Sequence, residues 1–387
     1  MSYNAARQTS ASAVAVQRLN DLFHHGRQSA VDIWEKAKKM VIVDANVYVN
    51  DMHFDSTSDP GNLQYRPVVG EQQYLYGLHS HALRQMATEV GIPATFVTTL
   101  TSGETWELEE LSFLLNERFH RLEFKQRSYV DRASFTNRIV DNQVRGFVSP
   151  SFKLWLSTPH MLEAFALKAA QFNAMPVEAT GSALRFNFRS FLPHVFEPKD
   201  GEFIAIGASL ANSDFGAGLL RVNLDVIRLA GSSSISCVKT IYHRSHGGGA
   251  RKDQDTSSAF VSTETFQKLV AAAQAEVGDA VAEALHPDKV NELLDTVAKA
   301  MTKQISWHTL KEYFAGKLSQ SEIKIIEDLL EKQNQSAFLP QLTYDADDKA
   351  IIDLWWASNA VGQVADGTPD LDRKADLRDA AGKLLTR

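Results

Sequence analysis

Three stretches of this chain alternate apolar and polar residues with a period of two. Leu184, Phe186 and Phe188 alternate with Arg185, Asn187 and Arg189, and a second stretch, Phe203 to Leu210, follows the turn at Pro198 to Gly201. In the third, Leu220, Val222, Leu224 and Val226 point one way while Arg221, Asn223 and Asp225 point the other. A period of two is the mark of a strand, because successive side chains leave opposite faces of the backbone. A fourth strand is expected from Ile235 to His243. The connectors are of modest length and rich in turn formers, whereas parallel strands would need helical crossovers, so the four should pair as an antiparallel meander. The expected fold class is α+β, a central antiparallel sheet flanked by helices with a helical C-terminal region. On this reading Arg185, Arg189, Arg221 and Asn223 share a polar, wet sheet face, a candidate binding platform.

With 387 residues, 44% hydrophobic and 22% charged, the chain resembles a folded globular protein of one large or two ordinary domains. No apolar run approaches the ~20 residues a membrane-spanning helix needs, and the first residues lack a signal-peptide core. A cytoplasmic protein without a membrane partner is expected.

Helices are expected elsewhere. One runs through Val14, Val16, Leu19, Leu22 and Phe23, and another spans Glu71 to Val90. Met40 to Val49 and the segment after Gly91 read as strands. Thr101 and Glu104 have the spacing of a capping box ahead of Leu108, Leu111, Leu115, Phe119 and Leu122, which recur at helical spacing. Thr158 and Pro159 mark a further helix start, with Thr158 as N-cap. From Ser262 the chain reads as helical to its end, with a second capping box at Ser319 and Glu322. The expected division is an N-terminal α/β region (1–100), a central α+β core (101–252) and a C-terminal helical region (262–387).

The chemistry-bearing residues are dispersed. The single cysteine, Cys237, rules out an intrachain disulfide and lies in a strand, where it reads as a small buried side chain. His79 and His81 are two apart, the wrong spacing for one metal ion on a helix. From Glu117 to Lys153 basic groups are interleaved with rings: Arg118, Arg121, Lys125, Arg127, Arg132, Arg138, Arg145 and Lys153 among Phe119, Phe124, Tyr129, Phe135, Phe147 and Phe152. Cations that track phosphate beside rings that stack on bases are what a single-strand groove needs. The alternative is an ordinary amphipathic surface.

Two connectors stand out. Asn212 to Gly216 (NSDFG) has the residues of a structural turn. His243 to Gly249 sets Gly next to Arg244 and His246, exposing N–H groups and positive charge to a phosphate, without the order of a nucleotide-binding P-loop. Asp214, His243 and His246 would make a metal site only if these loops met. No cofactor motif is present. The net charge of -7 argues against a generally basic nucleic-acid binder, but its distribution matters more than the sum.

Arg145 to Phe152, His160 to Ala164, Gly207 with Asn212 to Gly216, Arg221 with Val222, Arg228, Cys237, and Arg244 to Gly247 follow one another in an ordered set of landmarks. On these residues the central stretch resembles a family found mainly in phages, plasmids and mobile islands, domain of unknown function 932, often labelled phage/plasmid-like protein. The resemblance covers roughly Ile139 to the helices after Ser262. The chain departs from the family where Val238 and Lys239 replace an Asn-Gly pair after the cysteine, and where Ser149 to Phe152 replaces a more charged segment. The resemblance supplies no catalytic residues. It implies a mobile element's accessory protein in a bacterial cytoplasm, near DNA replication or recombination.

The leading expectation is therefore a nucleic-acid-binding accessory protein, holding or annealing single-stranded DNA and self-associating through its helical tail. Its candidate contacts are Arg118, Arg121, Lys125, Arg127, Arg145, Arg185, Arg189, Arg221, Arg244, His246, Arg251 and Lys252. The alternatives are a metal-dependent hydrolase or nuclease built on Asp214, His243 and His246, and a non-enzymatic structural or host-interaction protein. Binding by the leading reading requires these cations to converge on one open patch.

Overall fold

The computed structural model describes residues 10–56, 63–69, 72–101, 105–126, 134–148, 156–230, 234–245, 263–335, 343–344 and 350–387. The fold is α+β, built on two six-stranded sheets with helices packed against both and a helical C-terminal third.

The first part contains α1 (Ser10–Lys39), β1 (Val43–Tyr48), β2 (Phe54–Ser56), β3 (Leu63–Tyr65) and the small hairpin of β4 (Val68–Val69) and β5 (Gln72–Gln73). Then come β6 (Tyr76–Leu78), α2 (Ser80–Glu89), α3 (Ala94–Thr101), α4 (Thr105–Gln126), β7 (Ser134–Val140) and β8 (Gln143–Val148). The first sheet runs β1-β7-β8-β6-β3-β2. Asp141 and Asn142 join β7 to β8, both at positive φ, which is the two-residue hairpin turn whose twist matches the strands. Leu111, Leu115 and Phe119 of α4 and Met86 of α2 meet Phe54, Tyr65, Phe135 and Phe147 in one core.

Several expectations change here. The described residues from β1 to β8 form a single sheet and core across the expected boundary at 100, because β1 pairs with β7 from Val43↔Ile139 to Tyr48↔Ser134, while α1 packs on β9 (Met175–Gly181) of the second sheet. The first helix buries Ala15, Leu19, Phe23, Ala30 and Ala37, while Val14 and Val16 point outward. The stretch after Gly91, expected as a strand, is α3. Val97 and Leu100, three apart, are both buried, which holds a β-branched run in a helix, and the hydroxyls of Thr98, Thr99 and Thr101 each bond the carbonyl four residues back. Thr101 thus ends a helix instead of capping one, and 102–104, with the rest of that expected box, lie outside the described residues. The helix expected from Glu71 begins only at Ser80, where His79 Nδ1 accepts the His81 N–H at 3.1 Å as its cap.

The second part contains α5 (Thr158–Gln171), β9 (Met175–Gly181), β10 (Phe186–Phe191), β11 (Phe196–Lys199), β12 (Glu202–Asn212), β13 (Leu220–Arg228) and β14 (Ser234–Arg244). Ser157, one residue earlier than expected, is the N-cap of α5. Its sheet is the expected antiparallel meander, β14-β13-β12-β10-β9, with β11 on β12. One face carries Phe188, Ile206, Leu210, Val222 and Leu224 into the main core, against Leu162 and Phe165 of α5.

The third part contains α6 (Thr263–Ala284), α7 (Pro287–Ala300), β15 (Gln304–Ser306), α8 (Trp307–Phe314), α9 (Gln320–Gln335), β16 (Thr343–Tyr344), β17 (Ala350–Asp353), α10 (Leu354–Gly367) and α11 (Leu371–Leu385). The capping box before α9 is formed: Ser319 N donates to Glu322 Oε2 at 2.7 Å, and Glu322 N to Ser319 Oγ at 3.3 Å. A three-stranded sheet, β15-β17-β16, interrupts the helices. Ala273, Val277 and Val281 of α6 join the apolar face of the second sheet, while α10 and α11 lie across β14.

Candidate functional site

The polar face of the second sheet is covered. Asn187, Arg189, Ser209, Asn223 and Asp225 are all buried, and Arg378 of α11 is buried among them. Arg189 donates from Nε to Asp225 Oδ2 at 3.1 Å and from Nη1 to Glu178 Oε2 at 2.9 Å. Glu178 is shared with Arg378 and with Lys374, 3.4 Å away, and Arg378 also reaches Asp366 at 2.7 Å. Burial alone would raise the Glu178 carboxyl, but Arg378 and Arg189 outweigh it and hold it well below the usual range. Burial pushes the Asp225 carboxyl up in spite of Arg189. Cys237 is buried as expected, its thiol pushed well up by burial and then by Asp225 and Asp379.

Three more of the expected contact arginines face carboxylates of the C-terminal helices, while Arg228 pairs with Glu202 of the neighbouring strand. Arg221 pairs with Asp379 at 3.3 Å, Arg185 lies 3.6 Å from Asp372, and Arg244 pairs with Glu276 of α6. The expected wet platform is therefore corrected. The alternation placed these side chains on one face, and α11 occupies that face. Helix α11 is not a loose cover, since Leu377, Ala381 and Leu384 are buried and a Cβ added at Gly382 would lie 1.5 Å from the Cys237 carbonyl oxygen.

The other candidate contacts sit elsewhere. Arg118 and Arg121 are exposed on α4, Arg121 beside Glu117 at 3.5 Å, and Arg145 of β8 lies 3.5 Å from Asp141. Lys125 belongs to α4. Arg127, His246, Arg251 and Lys252 lie outside the described residues, as do Arg132, Tyr129 and Phe152. Phe119, Phe135 and Phe147, expected as possible stacking rings, are core residues. The described cations do not converge on one open surface.

The Asn212–Gly216 turn is a structural hub. Asp214 is buried, its Oδ1 accepting the Thr158 N–H at 3.0 Å and its carbonyl accepting from Arg138 of β7. Asn212 Nδ2 donates to Leu156 O at 2.8 Å and Thr158 Oγ1 at 3.0 Å, and Ser213 Oγ accepts from Phe215 N and Ala217 N. Phe215 O accepts from His81 Nε2 and Gln85 Nε2, both at 3.3 Å. Gly146 lets β8 approach, since a Cβ there would meet Phe215 O at 2.9 Å. One turn thus ties the second sheet to α5, to α2 and to the first sheet. Asp214 is engaged in that fastening, His243 is exposed on β14, and among the described residues no three His, Cys, Asp or Glu side chains are grouped to hold a metal ion.

Beside this hub a cleft of about 790 Å³ opens between the three parts. Helix α2 contributes His81, Arg84 and Glu89; the first sheet contributes Phe135 and Phe147; Leu184, Arg185 and Ala217 come from the second sheet's turns; Asp372 and Asp376 come from α11. Burial lowers the His81 imidazole to about 4, so it is neutral at neutral pH. Burial raises the Glu89 and Asp372 carboxyls. Sequence reading missed Arg84, Glu89, Asp372 and Asp376, which lie up to some 290 positions apart along the chain and share no motif; the legible signal was the turn beside them.

Among the described residues no helix is long and apolar enough to cross a membrane. Compared with known proteins, the chain matches no family model, no curated protein and no solved structure.

Proposed function

We propose that this chain is a ligand-binding protein whose site is the cleft between α2, the first sheet and α11. The observation that carries this reading is the cleft's size and position. At about 790 Å³ it falls in the range that houses small molecules, and it lies where three separately cored parts meet, a usual place for such sites. The test is a thermal-shift and native mass-spectrometry survey of amino acids, nucleotides and carboxylates, with Ala217→Trp as the variant that fills the cleft. A ligand that stabilises the wild type and is lost in a folded Ala217→Trp protein supports the reading. Ligand binding that survives the tryptophan ends it.

A second reading keeps nucleic acid as partner, moved from the sheet to α4. Trp106 and Phe113 are 56% and 64% exposed, and seven residues apart they share one helix face, with Arg118 and Arg121 further along. Exposed rings beside guanidinium groups suit single-strand stacking, and accessory work for a mobile element would agree with it. Titration of a fluorescent single-stranded oligonucleotide at two salt concentrations tests this. Salt-sensitive binding that drops in Trp106→Ala and Phe113→Ala supports it; binding indifferent to both removes it.

A further inference from the structure

Resting on the cleft as a ligand site, we infer that its occupant is a small zwitterion with more cationic than anionic groups, of the kind a basic amino acid presents. Several charged groups of the cleft already have partners. Arg373 is engaged with Glu322 at 2.8 Å and with the Lys317 carbonyl. Asp370 caps α11, accepting from Asp372 N at 2.9 Å and Arg373 N at 3.1 Å. Arg185 gives both its Nε and Nη2 to Ala217 O and stands opposite Asp372.

What remains is two carboxylates and one guanidinium. Glu89 and Asp376 face the cleft and make no hydrogen bond or ion pair with another described residue. Arg84 uses Nε for the Ser80 carbonyl at 3.2 Å, which leaves its terminal nitrogens to donate. His81 adds no positive charge, because its ring is neutral and its Nε2 is turned to Phe215 O.

An anion such as a nucleotide would meet more negative than positive charge here. A molecule with two cationic groups and one carboxylate complements the set, the cations toward Glu89 and Asp376 and the carboxylate toward Arg84, where a charge-assisted fork is available. Val148 and Leu184 offer an apolar strip for its methylenes.

Isothermal titration with L-arginine, agmatine and citrate tests this. L-arginine should bind, and Glu89→Gln and Asp376→Asn should each weaken it by about tenfold, the loss of one charge-assisted contact. Agmatine has the same cationic groups without the carboxylate, so it should bind more weakly than L-arginine, and Arg84→Ala should erase the difference between them. All three substituted side chains are exposed, and a melting curve confirms folding. Arginine binding unchanged in Glu89→Gln and Asp376→Asn overturns the inference. Citrate binding in place of the amines, lost in Ala217→Trp, overturns the charge assignment while the cleft stands; no binding by any probe overturns the inference as well.

Discussion

The two faces of the second sheet are both buried, but by opposite means. One face packs Phe188, Ile206, Val222 and Leu224 against α5 and α6 and is held by the exclusion of water from apolar surface. The other carries Phe191, Ala205 and Ile227 against Ala15, Leu19 and Phe23 of α1 at one end, and packs Arg189, Asp225 and Asn223 under α11 at the other, where ion pairs and hydrogen bonds hold it. An apolar face tolerates any close-fitting partner, whereas this polar face is complementary to one helix. Arg378 of α11 completes the charges around Glu178, and Gly382 allows the backbone to approach β14.

The largest expected effect comes from breaking the polar face. Arg189→Met leaves Asp225 and Glu178 short of a buried partner and should cost about 3–5 kcal/mol in urea unfolding. Adding Asp225→Asn removes the unpaired charge and should recover about 1 kcal/mol or more, a coupling the apolar face lacks. Leu224→Ala, 4% exposed on the opposite face, should cost about 2–5 kcal/mol, with no second polar substitution able to restore it. Equal rescue on both faces would remove the distinction drawn between them.

Next in size is Gly382→Ala, which drives a methyl into the Cys237 carbonyl and should cost about 1–3 kcal/mol. Hydrogen exchange should show α11 opening ahead of α5 in that variant. No preferential exposure of α11 would mean that its close approach is not what seats it.

The pH dependence sharpens the comparison further. Glu178 is depressed in the folded protein below its ordinary 4.5, so its contribution is complete above that pH and is lost as pH falls toward its folded value. Acid unfolding should therefore begin below about pH 4.5, and Glu178→Gln should flatten that slope while lowering stability at neutral pH. The smallest effect belongs to the rim. Arg221, 40% exposed beside Asp379, should cost no more than about 1 kcal/mol when changed to Ala, since solvent screens the pair.

Much of this fold was legible in the sequence. The alternation from Leu184 to Val226 marked three strands, a fourth was expected from Ile235, and their antiparallel order followed because turn-rich connectors leave few other pairings. The leucines of α4 and the capping box before α9 were equally readable, since helix spacing and caps are local. The run after Gly91 misled because its β-branched residues favour strands, and only burial of Val97 and Leu100 on one side holds them in a helix.

What the sequence left open was the cover on each face. Alternation says that Arg185, Arg189 and Arg221 lie on the opposite side from Phe188 and Val222, but polarity alone is the same whether water or a complementary helix lies beyond. Only the tertiary structure decided that, by bringing Asp372, Arg378 and Asp379 from more than 150 residues further along the chain onto that face. The same docking brings Asp376 and Glu89 to one cleft, because a pocket between separately cored parts exists only once those parts are packed.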